Sequence, residues 1–186
     1  MRPSTTHWPQ KRVSRALEKL RVLLIDHPES RLSVDGLKSL ASLTGLEQLR
    51  IRGDGIDDAA MAELSKIQSL RVLNVPQGSF SDQALGQLRG LIHLEQLRFG
   101  SPHVTDAGMK TVAELPVLKR LHLINVPLGD EGLRHLARME QLESLYIDGG
   151  NLSNATLDEL FQKRPDLHVH LDQQHHDRDP HGHAHP

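Results

Sequence analysis

The stretch Leu94-Glu-Gln-Leu-Arg-Phe99, continued by Val104-Thr-Asp-Ala-Gly-Met109, Val112 and Leu115, decides the fold. Leu94, Leu97 and Phe99 put apolar side chains at positions 1, 4 and 6 of a unit, and the last two have the two-residue period of a strand. Val104 stands at position 11. Met109, Val112 and Leu115, at positions 16, 19 and 22, have the three-residue spacing of one helix face. Thr105, at position 12, is a residue type whose side chain accepts hydrogen bonds from the free N–H groups of a first helical turn. The unit reads as strand, turn and helix, with about three strand residues and about ten helix residues.

In both directions the unit recurs every 24 residues without a gap. Leu46-Glu-Gln-Leu-Arg-Ile51, Leu70-Arg-Val-Leu-Asn-Val75, Leu118-Lys-Arg-Leu-His-Leu123 and Leu142-Glu-Ser-Leu-Tyr-Ile147 are its other copies. An earlier copy starts at Leu20, with Leu23 and Ile25; it is 26 residues long, and the two extra residues fall around His27 to Arg31. Position 12 holds Ser33, Asp57, Ser81, Thr105 and Ser153, with Gly129 the exception. One such unit cannot bury its apolar side alone. Stacked units bury a continuous leucine core and line a concave face with parallel strands. The expected architecture is an α/β solenoid, an arc with parallel strands on the concave face and helices on the convex face.

With Val104-Thr-Asp-Ala-Gly-Met109 and Leu128-Gly-Asp-Glu-Gly-Leu133 completing the pattern, residues 20–172 resemble leucine-rich repeats. More narrowly, they are similar to the 24-residue bacterial and ribonuclease-inhibitor-like repeats that read L-x-x-L-x-L and then V-T-D-x-G-L. Some related repeats carry a cysteine in the pattern, and this chain has none. The resemblance implies a binding role, by analogy of fold.

Both ends read as capped. Val13, Leu17 and Leu20 suit a helix over the first strand, so residues 1–19 are expected to be an N-terminal helical cap. Residues 20–172 form the repeat domain, six repeats and a final strand with Val169 and Leu171 at positions 4 and 6. Lys163 and Asp166 stand at positions 22 and 1, apolar in every earlier full repeat, as a solvent-facing cap needs. Residues 173–186 read as a His-rich disordered tail, too polar to pack. Repeats match best two apart, as if grown by two-repeat duplication. Position 2 accordingly alternates in sign: Arg21, Glu47, Arg71, Glu95, Lys119, Glu143. Neighbouring strands lie ~4.8 Å apart, so a one-repeat slip would set like charges side by side.

Composition narrows the function. Hydrophobic residues are 37% but aromatics only 3%, a bias towards leucine that suits repeated small layers. A formal charge of −2 and a pI near 6.7 disfavour DNA or RNA, whose binders are usually basic. The absence of cysteine excludes disulfides and thiolate metal sites. No secretory signal and no apolar run long enough for a membrane is visible. The expectation is a cytoplasmic monomer with a protein partner, no nucleic acid and no membrane.

Positions 3, 5 and 7 point away from the core onto the concave face. Column 3 reads Val22, Gln48, Val72, Gln96, Arg120, Ser144, His168. Column 5 reads Leu24, Arg50, Asn74, Arg98, His122, Tyr146, His170, and column 7 reads Asp26, Arg52, Pro76, Gly100, Ile124, Asp148, Asp172. Arg50, Arg52, Asn74, Arg98, Arg120, His122 and Tyr146 are the expected partner-binding residues, since Arg and Tyr are enriched in interface hot spots. The expected function is non-enzymatic protein–protein interaction with an acidic segment on this face. The bland alternative is a solvated face that only keeps the protein soluble.

Three sharper readings compete. Ser144, His122 or His170, and Asp148 could be imagined as a hydrolytic triad, but a regular sheet face lacks the strained turn and converging N–H groups that catalysis needs. Asp58, Asp82, Asp106 and Asp130 recur at position 13 and could suggest calcium, yet each belongs to a helix first turn, where the dipole already favours a carboxylate. The tail holds His175, His176, His181, His183 and His185, whose spacing lets several imidazoles wrap one zinc, copper or nickel ion. A metal-binding or metal-buffering role through this tail is the alternative function; otherwise no cofactor is required.

Overall fold

The computed structural model describes residues 19–26, 33–53, 55–172 and 174–175. The strands are β1 (Val22–Asp26), β2 (Gln48–Arg52), β3 (Val72–Val75), β4 (Gln96–Phe99), β5 (Arg120–Ile124), β6 (Ser144–Asp148), β7 (His168–Leu171) and β8 (Gln174–His175). Between them lie α1 (Val34–Leu40), α2 (Asp58–Leu64), α3 (Asp82–Gln87), α4 (Asp106–Val112), α5 (Asp130–Leu136) and α6 (Asn154–Lys163). The strands form one sheet in sequence order. From β1 to β7 every pairing is parallel, and like positions face like: Leu49 opposes Leu73, Leu97 opposes Leu121. The proposed register is therefore the observed one.

Two expectations need correcting. The helices were expected to hold about ten residues, but α1, α2, α4 and α5 have seven and α3 has six; only α6 has ten. Position 22 lies beyond the helix in a tight turn: Ile67 N–H donates to Leu64 O at 3.1 Å and Leu115 N–H to Val112 O at 3.0 Å. Such i→i+3 bonds keep the apolar three-residue spacing after the helix has ended. The strands were also expected to be parallel throughout. β8 instead pairs antiparallel with β7, His170 opposite His175. Asp172 adopts a left-handed φ of 49°, and no helix intervenes to carry the chain back for a parallel return. The stretch expected to be a disordered tail thus begins with two paired residues. The remainder of that tail, the N-terminal cap over residues 1–18 and the insertion around His27 to Arg31 lie outside the described residues.

The core is the column pattern made solid. Leu97, Leu121, Phe99, Met109, Val112 and their equivalents are essentially inaccessible in the five full repeats. In the first copy Leu20, Leu23 and Ile25 are only partly buried, on the edge strand β1 of the described sheet.

The terminal cap works differently from the reading above. Lys163 and Asp166 are exposed as expected, but Leu167 takes the buried place. Arg164 closes the layer beside it: its guanidinium donates to the carbonyl oxygens of Met139 and Leu142, the latter at 2.7 Å, and to the Asp166 carboxylate at 2.7 and 3.0 Å. A cation thereby satisfies carbonyls at the junction of the last two full repeats.

The charged column at position 2 pairs two by two. Arg21 meets Glu47 at 3.5 Å, Arg71 meets Glu95, and Lys119 meets Glu143 at 2.9 Å. These groups are half exposed, so each pair contributes ~0.2–1 kcal/mol at most.

The aspartates of position 13 have a role beyond their own helix. Asp58 accepts from Ser81 N–H and Oγ–H at 2.6 and 2.7 Å, Asp82 from Thr105 at 2.8 and 2.7 Å, and Asp130 from Ser153 at 2.8 and 2.7 Å. Asp106 accepts from Gly129 N–H at 2.7 Å. Each carboxylate therefore holds the helix start of the next repeat, and the hydroxyl of Ser81 caps no N–H of its own helix. The ladder also explains the small residues at position 15. A Cβ on Gly108 would fall 2.3 Å from Asp82 Oδ1, and one on Gly132 would fall 2.5 Å from Asp106 Oδ1.

The bonds from Ser153, its backbone N–H first, hold the Asp130 carboxyl below its ordinary value of 3.8. A carboxyl depressed by folding stabilises the native state above its ordinary pKa, and that contribution is lost as pH falls through the lower folded value. The stability difference between the native chain and Asp130→Asn should therefore shrink below about pH 3.9. A difference constant from neutral to acid pH in urea melts would show that ionisation of Asp130 adds nothing.

Candidate binding face

Regular pairing puts column 5 in one row across the sheet: Leu24, Arg50, Asn74, Arg98, His122, Tyr146 and His170 are successive register partners. Side chains along this row are one strand spacing apart, ~4.8 Å, close enough to bond directly. Arg98 does so on both sides. Its Nη1 donates to Asn74 Oδ1 at 3.3 Å and its Nε to His122 Nδ1 at 3.1 Å. Because Nδ1 accepts, the proton of a neutral His122 sits on Nε2, which donates to Asp148 Oδ2 at 2.7 Å. The relay Asn74–Arg98–His122–Asp148 spans four strands.

Beyond it the row turns aromatic. The Tyr146 ring lies between His122, 5.4 Å away and tilted by 36°, and His170, 4.3 Å away and stacked at 14°. His170 Nε2 is 2.7 Å from His168 Nε2. Together these side chains and Arg120 line an open groove of about 770 Å³ on the concave face.

The cations are unevenly served. On the rest of the surface Arg21, Arg71 and Arg89 each pair with a glutamate. On the concave face no carboxylate among the described residues lies within ion-pair distance of Arg50, Arg98 or Arg120. Arg50 Nε is buried without a hydrogen-bond partner among those residues. Arg98 has its pKa lowered, by burial first and by the neighbouring Arg50 charge second, with Asp148 opposing. Arg52 is the exception, 3.9 Å from Asp26.

Of the expected binding residues, Asn74, Arg98, Arg120, His122 and Tyr146 line the groove, whereas Arg50 and Arg52 stand on β2 beyond its lining. Asp148, His168 and His170 also line it and were not in the expected set, although columns 3, 5 and 7 contained them. The imagined triad comes only half together. His122 meets Asp148, but its other nitrogen receives Arg98 and not a serine hydroxyl. Among the described residues no three His, Asp or Glu side chains are grouped to hold a metal ion. No described helix is long and apolar enough to cross a membrane. Of the tail histidines only the backbone of His175 falls in the described part.

No family model and no curated protein sequence matches the chain. Solved structures do. Internalin C2 from Listeria monocytogenes superposes with a TM-score of 0.59 at 17% identity, over 84% of this chain and 72% of that one. An internalin, inlF, from the same organism gives 0.61 at 18% identity, over 86% of this chain and 50% of that one, so this chain spans half its length. Internalins are leucine-rich-repeat proteins, and the open parallel sheet with alternating helices is shared. The chain has the leucine-rich-repeat solenoid fold.

Proposed function

We propose that this protein is a non-enzymatic protein-interaction module whose concave face takes an acidic segment of a partner. The observation that carries the reading is the set of guanidiniums, Arg50, Arg98 and Arg120, with no carboxylate at ion-pair distance among the described residues, whereas Arg21, Arg71, Arg89 and Arg134 elsewhere on the surface each pair with a glutamate. Two like charges brought together and partly desolvated cost free energy. An incoming carboxylate between them recovers it through charge-assisted hydrogen bonds. Arg50 and Arg98 are two strand spacings apart, about 10 Å. A partner segment in the polyproline II form rises about 9.3 Å per three residues and puts side chains i and i+3 on one face, so acidic side chains three apart would meet both. Tyr146 supplies a rigid, amphipathic contact at the C-terminal side of the same groove.

The Arg50→Ala/Arg98→Ala/Arg120→Ala variant, used beside the unaltered protein in a pull-down, is expected to lose the retained partner. The retained interaction should also weaken with rising salt, because exposed charge pairs are screened within ~8 Å at physiological ionic strength. A variant with an unchanged urea midpoint that kept the same partner would remove the concave cations from the reading.

A further inference from the structure

One row of the concave face holds two cations with a neutral donor between them. Arg50, Asn74 and Arg98 are successive register partners on β2, β3 and β4. The outer two backbones are two strand spacings apart, ~10 Å, and arginine side chains are long enough to close on one point above Asn74. Arg98 already leans that way, with Nη1 donating to Asn74 Oδ1 at 3.3 Å. With its oxygen engaged there, Asn74 keeps its amide N–H groups, which meet no acceptor among the described residues. Arg98 Nη2 and the Arg50 nitrogens meet none either, and Arg50 Nε is buried, where water reaches it poorly. The two charges also feel one another: after burial, the neighbouring Arg50 charge lowers the pKa of Arg98. Column 7 beside them offers no spare counter-charge, since Asp26 lies 3.9 Å from Arg52.

This arrangement discriminates between anions. A single carboxylate has one charge and two oxygens, and leaves one guanidinium unmatched. Two carboxylates, one for each guanidinium, leave the Asn74 amide facing the gap between them. A phosphate monoester near neutral pH carries close to two negative charges on three acceptor oxygens. Centred above Asn74, it gives an oxygen to each guanidinium and one to the amide, and charge-assisted bonds to planar guanidiniums are the strong kind. The surroundings favour a phosphate carried on a chain. Asn74 and Arg98 line one end of the open groove of about 770 Å³, which runs on to Tyr146. Nothing encloses a small free anion there, whereas a peptide can lie along the groove beyond its phosphate.

We infer that Arg50, Asn74 and Arg98 form a phosphate-binding triad, through which the partner segment is recognised by a phosphorylated serine or threonine. The triad rests on the protein-binding reading above and gives its acidic group a chemical identity.

Calorimetric titration of the full chain near pH 7.5 with four synthetic peptides tests it. All share one alanine–proline frame. Three have phosphoserine, sulfoserine or serine at the centre, and the fourth has two aspartates three residues apart. The phosphoserine peptide is expected to bind about tenfold more tightly than the sulfoserine peptide, whose ester has the same oxygens but one charge, the equivalent of one charge-assisted hydrogen bond. It should outbind the two-aspartate peptide as well, and the serine peptide should not saturate. Asn74→Asp sets a carboxylate of the same size between the guanidiniums. That variant is expected to weaken the phosphoserine peptide by more than about tenfold without lowering the urea midpoint. Arg50→Gln should remove the preference for phosphate over sulfate. Unchanged phosphoserine affinity in Asn74→Asp overturns the triad. Equal binding of the phosphoserine and sulfoserine peptides by the unaltered protein overturns it without recourse to any variant. A two-aspartate peptide that bound as tightly would remove the triad and leave the acidic-segment reading standing. Sodium phosphate binding as tightly as the phosphoserine peptide would leave an adventitious anion site only. If no peptide saturated, the triad would fall, and the pull-down with the triple arginine variant would decide the wider reading separately.

Discussion

Leu121→Ala should lower the stability of the native state by about 3–5 kcal/mol in urea unfolding, and Leu97→Ala by a similar amount. Both side chains are fully inside, at 0% and 1% exposure, in adjacent interior layers opposed in register. A cavity there is walled by a neighbouring repeat on each side, and neither can move in without breaking its own ladder of strand bonds. In a stack where each repeat contacts only its neighbours, the loss is felt at two interfaces. Glu95→Ala is the control. Its carboxylate pairs with Arg71 on the half-exposed column, so the loss should be under ~1 kcal/mol. Leu23→Ala should fall between the two, because Leu23 is only partly buried in the end layer. Equal losses for Leu121→Ala and Glu95→Ala would contradict the inward and outward assignment of the strand positions.

Arg164→Ala should cost about 2–4 kcal/mol, more than any exposed ion pair in the molecule. The side chain is 9% exposed, and its guanidinium is the donor for the carbonyl oxygens of Met139 and Leu142 at the last layer. Truncation strips those acceptors of their donor in a place where water enters poorly. Asp166→Ala is expected to cost much less, since Asp166 is largely exposed, at 64% of its side chain, and pairs with the guanidinium near solvent. If the two variants were equally destabilised, the ion pair and not the carbonyl bonds would be the source of the effect. The fall should be accompanied by fraying of α6 and β7 before the rest, which hydrogen exchange of the Val169 and Leu171 amides would show.

The repeat, its register and its inward columns were legible because a 24-residue period leaves little freedom. Leu97 and Leu121 oppose each other in space since they hold the same position in consecutive units, and one-residue slips would turn every leucine outward. The concave-face columns were legible for the same reason: side chains at positions 3, 5 and 7 must face away from positions 4 and 6. What periodicity could not show is how one repeat uses the side chains of another. The carboxylate of Asp82 looked like part of its own helix's first turn, yet it holds the start of the next helix through Thr105. The glycines at position 15 carried a signal in their smallness, and its cause, the position-13 aspartate of the preceding unit, appears only when the units are stacked.

The chain by itself therefore determined the solenoid, the parallel order from β1 to β7, the core and the identity of the residues on the concave face. All of these follow from local periodicity repeated at a fixed interval. Only the tertiary structure decided which cations on that face lack a counter-charge, that Arg98 and Asp148 are joined through His122, that Arg164 closes the last layer, and that the chain turns back at Asp172 to set His175 opposite His170. These depend on distances between side chains from different repeats. Sequence spacing fixes the row a side chain belongs to, but its rotamer, and hence its partner, is chosen by whichever neighbour offers the better hydrogen bond once the backbones are ~4.8 Å apart.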